Sequence, residues 1–327
     1  MTVLQRAARV FADHGFAGLI RRAGRKIVGP HRPAPLPAAV APVETAEAIL
    51  ARQIAREKAL YERQDAAFRT RARELGHTGL DDYYWYHAVD LGDGLLTPGD
   101  YDFRDQIASF GLPADMTGMR VLDVGSATGF FAFEFERRGA EVVSVELPSL
   151  AAWDMVNSER AELLRLLQAA HHAATPEEAF DRHLDGPFRF CHARLRSRVA
   201  RCYSSVYDLT LDKVGGEKFD LVYAGDILMH LFSPFKALDV LSGLTRGALV
   251  ATIETPFPGP EDQPLIAFRG LINGEEGRTW WMPSRGCVEQ MLRRLGFASV
   301  AVAGSYSGIA RRAWFPYTRE VIRADRE

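Results

Sequence analysis

The chain has 327 residues, 47% of them hydrophobic and 25% charged, with a formal net charge of −2. That balance excludes collagen-like and intrinsically disordered chains, and the length suffices to bury a core without disulfide or metal staples. Cys191, Cys202 and Cys287 form no CxxC pair, and no apolar run approaches the roughly 18 residues of a membrane span, so a reducing, cytoplasmic compartment is expected.

In chain order, residues 1–27 carry apolar side chains at helical spacing (Val3, Leu4, Ala7, Phe11, then Phe16, Leu19, Ile20, Ile27). Arg6, Arg9 and Asp13 interrupt any signal-peptide core. Arg21, Arg22, Arg25 and Lys26 end the stretch, and a proline-rich linker (30–37) follows that cannot continue a helix. A second helix is predicted over 44–75, closed by Gly76. Residues 1–75 hold 14 Lys/Arg against 7 Asp/Glu, leaving 26 against 35 in the remainder, so a basic arm precedes an acidic body. The expected organisation is a helical extension over 1–79 and one domain over 80–327.

From Met119 onward, strand-like and helix-like segments alternate. Strands are predicted at 120–124, 141–145, 199–203, 219–224, 249–254, 299–303 and 311–315, and helices at 130–138, 150–170, 234–244 and 284–295. Such alternation demands crossover connections and gives a doubly wound, seven-stranded, mostly parallel α/β sheet covered on both faces. Residues 304–308 are too short for a crossover, so the last two strands are expected to pair as an antiparallel hairpin at the sheet edge. Ligands of such sheets bind at the carboxyl ends of the strands.

The segment Val121-Leu122-Asp123-Val124-Gly125-Ser126-Ala127-Thr128-Gly129-Phe130 runs from a buried strand through a tight glycine turn into a helix. Its Gly-x-x-x-Gly spacing is neither a dinucleotide fingerprint nor a phosphate loop. Glu146 closes the second strand, where a carboxylate can accept both hydroxyls of a ribose. Asp208 follows the third strand, placed to accept from an adenine amino group, and Asp123 can accept from an ammonium.

This pattern resembles the class I S-adenosylmethionine-dependent methyltransferases, whose Rossmann-like fold it implies from about Leu80 onward. The resemblance implies that Asp123, Gly125, Ser126 and Gly129 cradle the methionine half of S-adenosyl-L-methionine, that Glu146 holds its ribose, and that Asp208 and Leu209 flank its adenine. Asp226, in Ala224-Gly225-Asp226-Ile227-Leu228-Met229-His230, falls where the fourth strand opens onto the methyl group. A narrower likeness lies in Trp85-Tyr86-His87-Ala88-Val89-Asp90-Leu91-Gly92-Asp93-Gly94 and in Trp280-Trp281-Met282-Pro283-Ser284, similar to the tRNA wobble-uridine (carboxy)methyltransferases. Those enzymes start the helix after the fourth strand with a Tyr-His-Arg-type sequence, whereas this chain has Met229-His230-Leu231-Phe232. An apolar pair cannot replace an arginine facing a carboxylated donor, which favours ordinary methyl transfer.

His230 and His87 are candidate general bases for an acceptor hydroxyl, because an ordinary imidazole pKa near 6.5 suits proton removal. Trp85 and Tyr86 are expected to wall the pocket, and Glu254, ending the fifth strand, is either a substrate contact or a cap. His171, His172, His183 and His192 match no zinc spacing, and their region reads as a solvated helical insertion, so no metal site is assigned. The basic arm is read first as a solvated or partner-binding helix, then as a membrane-surface contact, with nucleic acid third. Three functions follow: methylation, at oxygen, of a small molecule or glycan; modification of tRNA; or a non-catalytic cofactor-binding domain.

Overall fold

The computed structural model describes residues 45–270 and 279–327. The first predicted helix, the basic cluster and the proline linker lie outside the described residues. Ala46–Glu327 form one compact unit, which holds every element below.

Helix α1 (Ala46–Glu74) is followed by α2 (Phe130–Arg137), α3 (Asn157–Ala170), α4 (Pro176–Phe180), α5 (Gly186–Leu195), α6 (Pro234–Leu244) and α7 (Arg285–Arg294). The main sheet contains β1 (Arg120–Val124), β2 (Glu141–Glu146), β3 (Ala200–Tyr203), β4 (Phe219–Ala224), β5 (Thr245–Glu254), β8 (Ser299–Ala310) and β9 (Phe315–Asp325). Two short strands, β6 (Ile266–Phe268) and β7 (Trp281–Pro283), form a separate antiparallel ribbon. The main sheet has the order β3-β2-β1-β4-β5-β9-β8, with β1 to β5 parallel and the β8–β9 pair antiparallel.

All five residues of β1 are buried. The period of two sends Val121 and Asp123 to one face and Leu122 and Val124 to the other. The first face packs on α1, α2 and α5 through Phe68, Phe131, Phe135 and Phe188. The second packs on α6 and α7 through Leu238, Leu241, Val288 and Leu292.

Helix α1 buries Phe68 and Ala72 in the same core as Trp85. Two expectations are corrected. The helix predicted over 150–170 is interrupted: Leu150–Ala152 is a single tight turn, and α3 begins at Asn157. Asp154 draws the chain out between them, accepting from the Tyr207 hydroxyl and the Phe232 amide, each at 2.6 Å. The terminal hairpin turns at 311–314, not at 304–308. Gly304 serves close packing within β8, since a Cβ there would sit 1.9 Å from the Ser109 carbonyl oxygen.

The insertion read as solvated also differs. Leu184, Phe188 and Cys191 are buried, and His171 Nε2 lies 2.7 Å from His183 Nδ1 in a buried pair stacked beside Tyr84. Among the described residues no group of three or more His, Cys, Asp or Glu side chains is arranged to hold a metal, and no helix is long and apolar enough to cross a membrane.

Candidate active site

The carboxyl ends of β1, β2, β4 and β5 lie along one edge of the sheet. After β1 the backbone turns through three left-handed residues, Gly125 (φ 75°), Ala127 (φ 46°) and Gly129 (φ 94°), before α2 starts. A Cβ on Gly129 would meet Phe133 at 2.6 Å and Phe188 at 2.8 Å, and one on Gly125 would meet Ile227 at 2.9 Å. Glycine is therefore required here by the protein's own packing as well as by the backbone conformation.

Asp123 is 1% exposed, and its Oδ2 has no hydrogen-bond partner. Burial raises its pKa to about 7, opposed by the Arg201 guanidinium and reinforced by Glu146. An unpaired buried carboxylate oxygen is costly, and a cationic donor from a ligand removes that cost. Glu146 Oε2 accepts from the Ala127 amide at 3.0 Å and Oε1 from the Leu147 amide at 2.9 Å. Each oxygen keeps a lone pair for a further donor, which fits a vicinal diol. Ser126 turns its hydroxyl onto that of Ser144, 2.6 Å away, so its side chain supports the turn. Asp208 ends a short turn after β3 with its side chain exposed, beside the buried Leu209.

Past β4 lies a second polar group. Asp226 has a left-handed φ of 51° and both carboxylate oxygens engaged. Oδ1 accepts from Arg319 Nε at 2.9 Å and from Thr252 at 2.8 Å, and Oδ2 accepts from the Tyr306 hydroxyl at 3.3 Å. Asp226 thus clamps β4 to β5, β8 and β9. Glu254 accepts from Arg269 at 2.7 Å, so it holds the residue that directly follows β6. Arg319 is 7% exposed and was not legible in the sequence, because β9 was expected to end at residue 315.

The two candidate bases separate. His87 is 4% exposed among Phe103, Phe130 and Phe131, and burial lowers its pKa to about 3. It is neutral at physiological pH and, at that pKa, a weaker base than an ordinary imidazole. His230 is exposed on the turn Leu228–His230 directly after β4. Trp85 is also core, edge-on to Phe68, whereas Tyr86 reaches Tyr101 with ring centroids 4.9 Å apart. Beyond the turn after β4, Phe232, Phe268 and Trp281 form an apolar patch: Phe232 is 43% and Phe268 59% exposed, and Trp281 Nε1 donates to the Phe232 carbonyl at 3.0 Å.

The strand order and this glycine turn flanked by strand-end carboxylates define a Rossmann-like fold. The chain matches no protein-family model. It is 27% identical over 173 residues to the magnesium-protoporphyrin O-methyltransferase of Rhodobacter capsulatus, covering 52% of this chain and 54% of that protein. The chain thus spans about half the length of this curated relative. Among solved structures it resembles magnesium protoporphyrin IX methyltransferase from Synechocystis PCC 6803 with bound SAH, at 14% identity and a TM-score of 0.40 over 65% of this chain and 76% of that one. It also resembles the N-terminal domain of EvdMO1 with SAH bound, at 13% identity and a TM-score of 0.45 over 78% and 94% of the two chains.

Proposed function

We propose that the chain is an S-adenosylmethionine-dependent methyltransferase acting on an oxygen of a small molecule or glycan. The observation that carries this reading is the buried, unpartnered Asp123 Oδ2 beside a left-handed glycine turn, with Glu146 one strand away. When bound, S-adenosylmethionine supplies a methyl group on a sulfonium, a strong leaving group. In this reading Asp123 accepts from the ammonium of the methionine half, Glu146 from the ribose hydroxyls, and Asp208 and Leu209 border the adenine. The protein's contribution is to orient the acceptor and exclude water, with His230 taking the acceptor proton. Phe232, Phe268 and Trp281 support an acceptor with an apolar body, which suits the porphyrin named for the Rhodobacter relative better than a bare sugar.

Arg319 favours a second reading, a wobble-uridine tRNA enzyme that takes a carboxylated donor, since it is a buried cation near the end of β4 flanked by Tyr306 and Tyr317. Against it, Asp226 already accepts from that guanidinium. A cytoplasmic location and the arm's contacts with a membrane surface or nucleic acid belong to the same set of proposals.

The test is incubation of the purified chain and a cell extract with methyl-labelled S-adenosylmethionine, followed by mass spectrometry. Label in a small molecule with release of S-adenosylhomocysteine supports the first reading, and label in tRNA supports the second. Cofactor binding without any turnover identifies a non-catalytic domain.

A further inference from the structure

Asp123, Ser144 and Arg201 are register partners on three adjacent strands, so their side chains stand in one row on the same face of the sheet. Arg201 is held from several sides. Its guanidinium lies 3.8 Å from the Phe188 ring centroid and 5.6 Å from that of Tyr203, and Nη1 donates to Ser144 at 2.8 Å and also to Ser126. Its Nε and Nη2 are buried without a hydrogen-bond partner. Asp123 Oδ2 is in the same condition. A cation and a carboxylate share one interior, each with hydrogen-bonding capacity unused. Such burial is unfavourable unless charges nearby compensate or a ligand completes the set.

The titratable groups that face Asp123 are Glu146 on β2, Arg201 on β3 and Tyr223 on β4, with the Ala132 amide contributed by α2. Two carboxylates against one guanidinium leave a surplus of one negative charge, which an entering ammonium neutralises.

We propose that Arg201 is a positioning residue for the cofactor: it is the internal cation that keeps Asp123 ionised for an ammonium ligand while anchoring the Ser126 turn from below. This rests on the reading of the strand-end edge as an S-adenosylmethionine site. Without Arg201, Asp123 and Glu146 share this face of the sheet with no cation two strands from Asp123 to offset their repulsion. One proton is then retained, and the ammonium meets a neutral acid. Burial already holds the Asp123 pKa up at about 7, so the loss of the guanidinium is read out near neutral pH.

The experiment is calorimetric titration with S-adenosylhomocysteine between pH 5.5 and 9 for the wild type, Arg201→Gln and Arg201→Lys, at protein concentrations well below those that aggregate. Affinity is expected to rise with pH in all three. The midpoint should move up by about one pH unit in Arg201→Gln and stay near wild type in Arg201→Lys. Infrared difference spectra of ligand-free protein provide a readout independent of binding. The protonated-carboxyl band that Asp123→Asn removes should persist to higher pH in Arg201→Gln. Should Arg201→Gln fail to fold, Ser144→Ala loosens the same anchor and should shift the band in the same direction by a smaller step. A uniform loss of affinity at every pH with an unmoved midpoint, or an infrared band indifferent to Arg201, overturns the proposal. A wild type that binds no S-adenosylhomocysteine overturns the cofactor reading instead, and the infrared comparison still decides the role of Arg201.

Discussion

Arg311 Nε donates to Glu57 Oε1 at 2.7 Å, joining helix α1 to the β8–β9 turn across 254 residues of chain. The guanidinium is 2% exposed and also donates to Gln64, to the Gly99 carbonyl and to Asp102. A buried cation stripped of its partners is strongly destabilising.

Truncation therefore has two outcomes. A chain beginning near Val43 keeps every partner of Arg311 and is expected to unfold cooperatively and bind S-adenosylhomocysteine. A chain beginning at Leu80 loses Glu57 and Gln64 together with the packing of Phe68, and should not fold. Glu57→Ala alone should cost about 1.5–3 kcal/mol, the range for a hydrogen bond to a charged group. Chemical denaturation measures all three. A cooperative transition in the chain starting at Leu80 would show that α1 is dispensable.

Cofactor affinity should depend on Glu146. Glu146→Ala removes the acceptor proposed for the ribose and two amide contacts, so affinity for S-adenosylhomocysteine should fall on the order of tenfold to a hundredfold. Gly129→Val acts differently. It places a branched side chain into Phe133 and Phe188 at a left-handed φ of 94°, so lowered stability should precede any loss of binding. Thermal unfolding and calorimetry separate the two effects.

Asp123 makes stability pH-dependent. Its pKa is raised from 3.8 in the unfolded chain to about 7 by burial, so the neutral acid is the form the fold prefers. The corresponding stability is complete below about pH 4 and is lost as pH rises through about 7. Asp123→Asn should gain thermal stability on wild type across that interval and change little below it. A constant difference between the two proteins over the same interval would contradict the assignment.

Donor choice follows from the residues beyond β4. A carboxylated donor adds an anion beside the sulfonium, and its unpaired burial costs several kcal/mol. The turn after β4 presents His230, Leu231 and Phe232, and the buried guanidinium of Arg319 already donates to Asp226 at 2.9 Å. Ordinary S-adenosylmethionine should bind more tightly than its carboxylated analogue in competitive titration. The opposite order would place Arg319 on the donor and return tRNA to the first reading.

Much of this was legible in sequence, for identifiable reasons. The β1 strand and its glycine turn are local: a buried run of Val121, Leu122 and Val124 around Asp123, two glycines and a helix start are neighbours in the chain. Strand β4 and helix α6 were likewise bounded by their own residues, with Pro234 opening the helix. The terminal hairpin was misplaced because Gly304 reads locally as a turn, while its reason is a carbonyl oxygen nearly two hundred residues upstream. The charge clusters were missed on the same ground. Arg201, Arg311 and Arg319 look like surface arginines until the sheet order brings Ser144, Glu57 and Asp226 to them.

Strand β9 occupies the slot between β5 and β8, although its 11 residues are the last of the sheet to leave the ribosome. Until they emerge, β5 has one bare side, with Leu249, Val250 and Ala251 carrying unpaired backbone groups, and β8 has no partner at all. A stalled or prematurely terminated chain thus offers neighbouring polysomes a sticky, open ladder instead of a finished domain. This sheet closes on the last of its strands to be made, so nonsense lesions between β8 and residue 315 should yield aggregate and quality-control substrate instead of a soluble fragment.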